Sequence, residues 1–442
     1  MKLYFVSLGC PKNNVDMEAT VSLLSRAGHE TVADPESADL LLVNACSFLE
    51  SAWNETLGEL ETLAAIKRRG GNKTLVLMGC LPKHRRIDLR KTLPDVDIFL
   101  PPGAHGALPG MIGHRSGSAS PVSRAADPFA GYEGRILLTP GHTAYVKIAE
   151  GCSHTCEFCA IPAIKGPMIS RSPDSIRREV EDLVRRGVRE ISIIAQDPAA
   201  YNAGGCRLPD LLDSLAVTGI DWMRLLYIHP ASVKMDDLAR IFEIPQVCRY
   251  LDIPVQHASD RILARMKRGH RIEAVARVLE EIRRIRPDVV FRSEVITGYP
   301  GESEDDFELL KEWVESAGIA TLGIFVFSPE PGTPAFDRED LVPPEVSAGR
   351  HAELVSAHEA FAFGFHSGYI GRILDVLVDR TLEASAPGGD ECRSAGRYYG
   401  QSLEIDGEVF LRSGDFPPGR FVTARIVDAT IHDLVGEAVE KA

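Results

Sequence analysis

The chain has 442 residues, of which 44% are hydrophobic and 25% are charged. These fractions match globular proteins and exclude a disordered or fibrous chain, and the length predicts about three domains. The 63 Asp and Glu residues outnumber the 49 Lys and Arg residues, and the formal net charge of −14 favours a basic partner over nucleic acid or an anionic membrane.

No apolar run is long enough to cross a bilayer, and the first apolar segment is too short for a signal peptide. We therefore expect a soluble, cytoplasmic protein without membrane contact. The nine cysteines are odd in number in a long chain without an export signal. They predict metal-binding or catalytic thiols rather than a disulfide framework.

The first domain is predicted over residues 1–100, where short β-branched runs alternate with helix-length segments. This alternation is typical of a parallel α/β sheet. A segment rich in Gly, Pro, Ala and Ser follows, and it predicts a linker over 101–140. The predicted strands are Leu3–Leu8, Asp39–Asn44, Thr74–Met78 and Val96–Leu100, and the predicted helices are Asp16–Ala27, Ala52–Arg69 and Lys83–Leu93.

The second domain is predicted over 141–370, with six strands separated by helical segments. Six βα units in this length favour a partial (βα)6 barrel of the TIM type, because a complete eight-unit barrel needs about 250 residues. A doubly wound sheet remains an alternative. The predicted strands are Ala144–Ala149, Glu190–Ala195, Met223–Ile228, Arg249–Val255, Val290–Thr297 and Thr321–Phe327, and the helical segments include Asp174–Gly187, Ser259–Arg268, Ile272–Arg286 and Ser303–Ser316.

The last module, 371–442, is predicted to be a small all-β barrel because its strands follow one another without helices. It holds eight Lys and Arg residues against thirteen Asp and Glu residues. Nucleic acid contact is possible but is not favoured by this charge, which suits a basic protein partner. The predicted strands are Ile373–Val378, Gln401–Ile405, Glu408–Arg412, Phe421–Val427 and Leu434–Val439.

Three cysteines lie within eight residues directly after the first strand of the predicted barrel: Cys152, Cys156 and Cys159. The carboxyl ends of parallel strands carry the active site, so the loop is placed for chemistry. Three thiolates leave one iron of a four-iron cluster open, whereas structural zinc is usually held by four ligands. Zinc and inert buried thiols are the alternatives to a cluster.

The Cys-x3-Cys-x2-Cys spacing resembles that of the radical S-adenosylmethionine (SAM) superfamily. The resemblance implies a 4Fe-4S cluster on these cysteines, and SAM bound at the open iron and cleaved to a 5′-deoxyadenosyl radical. Polar residues at the same strand ends are candidates for SAM contacts, whereas His229 and His257 are expected to be structural, and we assign no general base. The predicted SAM-binding residues are Phe158, Gln196, Asp197, Gln256 and Gly298.

Three further cysteines, Cys10, Cys46 and Cys80, each follow a predicted strand of the first domain. A flavodoxin-like strand order, 2-1-3-4-5, would make those strands neighbours and bring the cysteines together. Inert core thiols are the alternative. The segments around these cysteines resemble the amino-terminal domain of the methylthiotransferases: Gly9-Cys10-Pro11-Lys12-Asn13, Asn44-Ala45-Cys46 and Gly79-Cys80-Leu81. The resemblance implies that the three cysteines bind an auxiliary 4Fe-4S cluster.

The chain as a whole resembles this family, whose last module is a TRAM domain. Cys10-Pro11-Lys12-Asn13 and Asp252-Ile253-Pro254-Val255-Gln256-His257 look like the RimO branch, which methylthiolates the β-carbon of an aspartate in the twelfth small-subunit ribosomal protein. The resemblance implies two SAM molecules per turnover and electrons from flavodoxin or ferredoxin. The alternatives are the tRNA adenosine branch called MiaB, a paralogue acting on another protein or peptide, and a non-enzymatic iron-sulfur electron carrier.

Overall fold

The computed structural model describes residues 1–81, 88–112, 127–382, 392–412 and 414–440. Within these ranges, no helix combines the length and the apolar character that a membrane span requires.

The first domain is a five-stranded parallel sheet in the order β2-β1-β3-β4-β5, which confirms the flavodoxin-like prediction. The strand β3 is buried along its whole length, as expected between helices on both faces. The elements are β1 Lys2–Ser7, α1 Pro11–Arg26, β2 Glu30–Thr31, β3 Leu40–Ala45, α2 Glu50–Gly70, β4 Thr74–Gly79, α3 Leu89–Thr92, β5 Ile98–Leu100 and α4 Leu108–Ile112.

Two parts of this domain differ from the prediction. The exposed edge strand β2 has only two residues and was not predicted. The helix α1 begins at Pro11, five residues earlier than predicted, because proline is favoured in the first helical turn. Of the predicted helix Lys83–Leu93, the described part contains α3, and residues 82–87 lie outside the described residues.

The predicted linker, 101–140, is only partly described, since residues 113–126 lie outside the described ranges. The described flanks are packed: α4 lies against α1, and the side chains of Tyr132 and Arg135 are fully buried. Arg135 pairs with Glu18 in the first domain (2.6 Å) and donates to the carbonyl oxygen of Tyr145 in the second, so the segment contributes to the junction between these domains.

The second domain contains six parallel strands in chain order, divided into two three-stranded sheets, β6-β9-β12 and β13-β14-β15. All six overlap the predicted strands, although β12 and β13 end three residues earlier than predicted. The strand order does not reverse, so the structure is the predicted partial barrel and not a doubly wound sheet. The elements are β6 Thr143–Lys147, β7 Ala149–Glu150, α5 Ile161–Lys165, β8 Ile169–Ser170, α6 Pro173–Arg185, β9 Glu190–Ile194, β10 Asn202–Ala203, β11 Cys206–Arg207, α7 Leu208–Ala216, β12 Trp222–Leu225, α8 Met235–Glu243, β13 Tyr250–Asp252, α9 Asp260–Arg265, α10 Ile272–Ile285, β14 Val290–Thr297, α11 Glu304–Ser316, β15 Thr321–Val326 and α12 Pro344–Ser367.

The third domain is a closed five-stranded barrel in the order β16-β17-β18-β20-β19. The predicted strand Gln401–Ile405 is wrong: these residues form a turn, in which Ser402 N–H donates to Asp406 Oδ2 (2.7 Å) and Glu404 has φ +61°. The missing strand is β17, whose polar and small residues gave no β signal. The elements are β16 Ile373–Thr381, β17 Cys392–Arg397, β18 Val409–Arg412, β19 Phe421–Ala429 and β20 Leu434–Ala438.

This barrel packs against the amino-terminal ends of the second domain's strands. Arg397 donates to Asp379 Oδ2 (2.7 Å) and pairs with Glu190 Oε2 (2.6 Å) at the start of β9, and all three side chains are buried. Arg224 on β12 also pairs with Glu190 and donates to the carbonyl oxygen of Tyr399 (2.7 Å). The carboxyl ends of the strands, where an active site is expected, lie at the opposite end.

Candidate functional site: two cysteine sets on one cavity

The cysteine loop of the second domain is a short turn between β7 and α5. Gly151 has φ +81°, and a Cβ atom there would lie 2.4 Å from the carbonyl oxygen of Pro167, so only glycine fits this approach. The next residue, Cys152, donates its N–H to the carbonyl oxygen of Gly166 (3.0 Å), which closes the loop onto the end of α5. The thiols of this set, called the barrel set below, are Cys152, Cys156 and Cys159.

The first-domain set consists of Cys10, Cys46 and Cys80, which follow β1, β3 and β4. These strands are neighbours in the sheet, as the flavodoxin-like order predicted, so the three loops meet at one edge. Gly9 has φ +94°, and a Cβ atom on it would lie 2.8 Å from Cys46 Cβ. The backbone before the first cysteine therefore packs directly against the second.

Asn13, in the first turn of α1, joins the three loops of the first-domain set. Its Nδ2 donates to the carbonyl oxygen of Ala45 (2.8 Å), next to Cys46, and its Oδ1 accepts from the thiol of Cys80 (3.6 Å). The side chain of Asn44 donates to the backbone carbonyl of Asn13 (2.6 Å). This buried network fixes the relative positions of the loops.

Both cysteine sets line one cavity of about 290 Å³ between the first two domains. The cavity lies at the carboxyl ends of the strands of both parallel sheets, where ligand sites of α/β folds occur. The structure thus brings together six cysteines that are up to 149 positions apart in the sequence (159 − 10). The remaining three, Cys206, Cys248 and Cys392, do not line it.

Burial determines the acidity of the thiols in the absence of a cation. It raises the pKa of Cys80 and of Cys159 to about 12, and it also raises the pKa of Cys46 and Cys152. Such thiols are protonated at neutral pH and are poor nucleophiles. A metal centre would displace the protons and stabilise the thiolates, so the donor set fits soft iron-sulfur ligation better than covalent catalysis.

Three of the predicted SAM-binding residues, Phe158, Gln196 and Gln256, line the same cavity. The Oε1 atom of Gln196 and the Nε atom of Arg268, another lining residue, are buried without a hydrogen-bond partner in the described part of the chain. Buried polar atoms of this kind are normally satisfied, so they point to a polar ligand in the cavity. Whether the three predicted residues contact SAM stays a prediction.

The other two predicted SAM-binding residues do not line the cavity. The carboxylate of Asp197 accepts from Ser232 Oγ (2.5 Å), and it lies 2.7 Å from His154 Nε2. The backbone N–H of Gly298 donates to Glu302 Oε2 (3.0 Å), which stabilises the turn after β14. These bonds stabilise the loops after β9 and β14, and a contact of Asp197 or Gly298 with SAM stays a prediction.

His229 lies beside the barrel set. Its ring stacks on that of His154 with 3.7 Å between the centroids, and its Nδ1 accepts from Ala231 N–H (3.2 Å). Burial, with the nearby positive charge of Arg268, lowers the pKa of His229, so the ring is neutral. Its Nε2 lies 3.9 Å from Cys156 Sγ, which suits a residue that orients this thiol.

Several lining residues were not predicted as site residues. Lys12 Nζ lies 3.4 Å from the centroid of the Tyr227 ring, and Arg268 donates to Cys156 Sγ (3.5 Å). Tyr227 (φ +68°) and Gln256 (φ +73°) both have the left-handed backbone that non-glycine residues rarely adopt, and such strain concentrates at functional sites. Lys12 could have been suspected from its position two residues after a cysteine, whereas Tyr227 and Arg268 carry no sequence signal.

The junction between the first two domains contains buried ion pairs directly behind the cavity. Lys147 on β6 lies 2.7 Å from Asp16 on α1 and also pairs with Glu150, which in turn lies 2.8 Å from Lys165 Nζ. Burial alone would raise the pKa of Glu150, but the two lysines hold it at about 2. These pairs fix how the two cysteine sets face each other.

Three family descriptions match successive parts of the chain. Residues 2–101 match the Uncharacterized protein family UPF0004, residues 146–314 match the Radical SAM superfamily, and residues 370–439 match the TRAM domain.

Full-length relatives share the same name, ribosomal protein uS12 methylthiotransferase RimO. The protein from Anaeromyxobacter sp. (strain Fw109-5) is 38% identical over 444 residues, which cover 100% of this chain and 93% of the relative. The protein from Geobacter sulfurreducens is 37% identical, with 99% of this chain and 98% of the relative covered. The protein from Myxococcus xanthus is 37% identical over 99% of this chain and 92% of its own length.

Solved structures show a similar fold at low identity. The radical S-adenosylmethionine methyltransferase TsrM from Kitasatospora setae superposes with a TM-score of 0.56 at 14% identity, covering 81% of this chain and 89% of TsrM. The cobalamin-dependent S-adenosylmethionine radical enzyme OxsB gives a TM-score of 0.55 at 11% identity, covering 81% of this chain and 56% of OxsB.

Proposed function

The chain belongs to the RimO family of ribosomal protein uS12 methylthiotransferases, and from this premise we propose that it adds a methylthio group to the β-carbon of an aspartate in uS12. The observation that carries the proposal is the convergence of two cysteine sets on one cavity. One set alone would suit any radical SAM enzyme. The second set, facing the same space, is what a sulfur insertion needs.

We assign the barrel set to the 4Fe-4S cluster that binds SAM and the first-domain set to an auxiliary 4Fe-4S cluster. When bound, the clusters would supply the electron that cleaves SAM and the sulfur that is inserted, while a second SAM molecule supplies the methyl group. The number of cysteines, three per set, supports one open iron position in each four-iron cluster. Phe158, Gln196 and Gln256 are the proposed SAM contacts because they line the cavity beside the barrel set.

The chain's own side chains prepare this cavity. Arg268 positions the thiol of Cys156 by donating to it, and a second bond from Arg268 to the carbonyl oxygen of Pro254 (2.6 Å) fixes the guanidinium. Asn13 holds the first-domain loops together.

The partners follow from the charge and from the chemistry. The net charge of −14 supports a basic ribosomal protein as substrate, and the expected place of action is the cytoplasm. A low-potential donor of the flavodoxin or ferredoxin class is the proposed electron source.

The proposal is tested by intact-mass measurement of uS12 and by nucleoside analysis of tRNA, both from a strain that lacks this gene. We expect uS12 to lose the mass of one methylthio group and the tRNA to remain unchanged. Loss of a methylthio group from tRNA, with unchanged uS12, would contradict the proposed substrate.

A further inference from the structure

Lys12 is buried, and its amine lies on the wall of the cavity. It has no carboxylate partner among the described residues. The residue is 9% exposed, and among the described residues no carboxylate oxygen lies within 4.0 Å of its Nζ. The other lysine of the cavity wall, Lys165, is paired with Glu150 at 2.8 Å. Glu294 also lines the cavity, but its carboxylate accepts from Arg292 (2.9 Å).

The aromatic ring of Tyr227 holds this amine in place. Lys12 belongs to the first domain and Tyr227 to the second, and the amine lies 3.4 Å from the ring centroid, so the contact crosses the domain junction between the two cysteine sets. The left-handed backbone of Tyr227 is stabilised by its N–H, which donates to Asp252 Oδ2 (2.8 Å). The ring face attracts the cation but does not neutralise it.

Because Lys12 lines the cavity, its Nζ can donate to an anionic group that enters there, and hydrogen bonds of this charged kind are strong. The substrate of the proposed reaction carries such a group, because the carboxylate of an aspartate is bonded directly to the β-carbon that reacts. A carboxylate on Lys12 would therefore place that carbon close to both cysteine sets.

We infer that Lys12 binds the side-chain carboxylate of the substrate aspartate and so selects this residue and positions its β-carbon. This inference rests on the proposed function and names the group that the site recognises. The carboxylate of SAM is the other carboxylate that Lys12 could bind in this cavity, and the test distinguishes it from the carboxylate of the substrate aspartate.

The test is a comparison of two ligands on two proteins. The ligands are uS12 and a uS12 variant in which the target aspartate is replaced by asparagine. The proteins are the wild type and Lys12→Met, which keeps the length of the side chain and its packing on Tyr227 but removes the charge. Both the dissociation constant for uS12 and kcat/KM for methylthiolation are measured with anaerobically reconstituted enzyme, and SAM affinity is measured without uS12.

We expect the wild type to prefer the aspartate form by about 10- to 100-fold, the worth of a charged hydrogen bond, and Lys12→Met to lose this preference. Lys12→Arg should keep part of it. Lys311→Met, which removes a partly exposed lysine on α11 outside the cavity, should keep all of this preference. If Lys12→Met does not retain iron, Lys12→Gln and Lys12→Arg decide the comparison.

An equal preference in Lys12→Met and wild type would overturn the inference. A loss of SAM affinity with an unchanged preference for aspartate would also overturn it, since Lys12 would then bind the carboxylate of SAM. The binding measurement needs no turnover, so a wild type that prefers aspartate-bearing uS12 but does not modify it would contradict the proposed reaction and support the role of Lys12.

Discussion

Lys147 on β6 and Asp16 on α1 form a fully buried ion pair, with 2.7 Å between Nζ and Oδ1, across the junction of the first two domains. Removing one partner of a buried pair leaves the other charge unpaired. We expect Lys147→Met to lower the free energy of unfolding by about 3 kcal/mol, because Asp16 loses its cation and Glu150 keeps only Lys165. Urea unfolding followed by circular dichroism measures this change.

The matched control is Lys67→Met, which breaks the partly exposed pair with Asp97 inside the first domain. Exposed pairs contribute little, so this variant should lose less than about 1 kcal/mol. An equal loss of unfolding free energy in the two variants would show that the buried Lys147 pair stabilises the protein no more than an exposed pair.

A second prediction concerns the packing of Gly9 against Cys46. In Gly9→Ala the new Cβ atom would lie 2.8 Å from Cys46 Cβ, at a backbone φ of +94° that alanine disfavours. We expect the first-domain set to lose iron while the barrel set keeps it. Gly58→Ala is the control: this exposed glycine in α2 has open space around it, and the substitution should stabilise the protein by about 1 kcal/mol. Full iron content in Gly9→Ala would contradict the described geometry.

A third prediction separates the two cysteine sets. Reconstituted wild type should bind about eight irons, four per set. Replacing the barrel set by alanine should abolish the formation of 5′-deoxyadenosine and leave about four irons. Replacing the first-domain set should also leave about four irons, but with SAM cleavage retained and no methylthio product. Cys206→Ala, outside the cavity, should change neither the iron content nor the formation of 5′-deoxyadenosine. Zinc in place of iron would refute the assignment of both cysteine sets to 4Fe-4S clusters.

A fourth prediction concerns acid stability at the third domain. Burial alone would raise the pKa of Asp379, but hydrogen bonds from His142 and Arg397 hold it below its ordinary value of 3.8. The bonded carboxylate therefore stabilises the fold above about pH 4, and this contribution is lost as the pH falls through the lowered pKa. Asp379→Asn should cost about 2 kcal/mol at pH 7, and its difference from wild type should shrink below pH 4.

Unfolding in urea at pH 7, 5 and 3.5 checks this dependence. Asp213→Asn, which weakens an exposed pair with Arg240, should cost less than about 1 kcal/mol. A difference between Asp379→Asn and wild type that stays constant down to pH 3.5 would rule out the lowered pKa as its cause.

The sequence predicted those parts of the structure that depend on a local pattern of residues. The buried β-branched runs predicted the central strands, and the position of each cysteine after such a run predicted where the two sets lie. In contrast, β2 has only two residues, which is too short for a periodic signal. β17 contains Gly396, where a Cβ atom would lie 2.2 Å from the carbonyl oxygen of Leu377 on the neighbouring strand, so this position cannot hold a β-branched residue.

The rest of the site depends on contacts between residues far apart in the chain. Lys12 meets Tyr227 across 215 positions (227 − 12), and Arg268 meets Cys156 across 112. Neither contact follows from spacing or from composition, because both require the two domains to be packed first. For the same reason Asp197 and Gly298 lie at strand ends as predicted, but their hydrogen bonds to Ser232 and Glu302 could not be predicted.

The size of the shared cavity limits how a protein substrate can reach it. A space of about 290 Å³ accommodates small ligands and not a folded domain. The ribosomal protein therefore has to present its reactive residue at the tip of a protruding loop. Only this tip enters the cavity, and the rest of the ribosomal protein stays outside. Compatibility with the enzyme then depends on how far that tip extends, so shortening the loop should block modification even when its amino-acid composition is preserved.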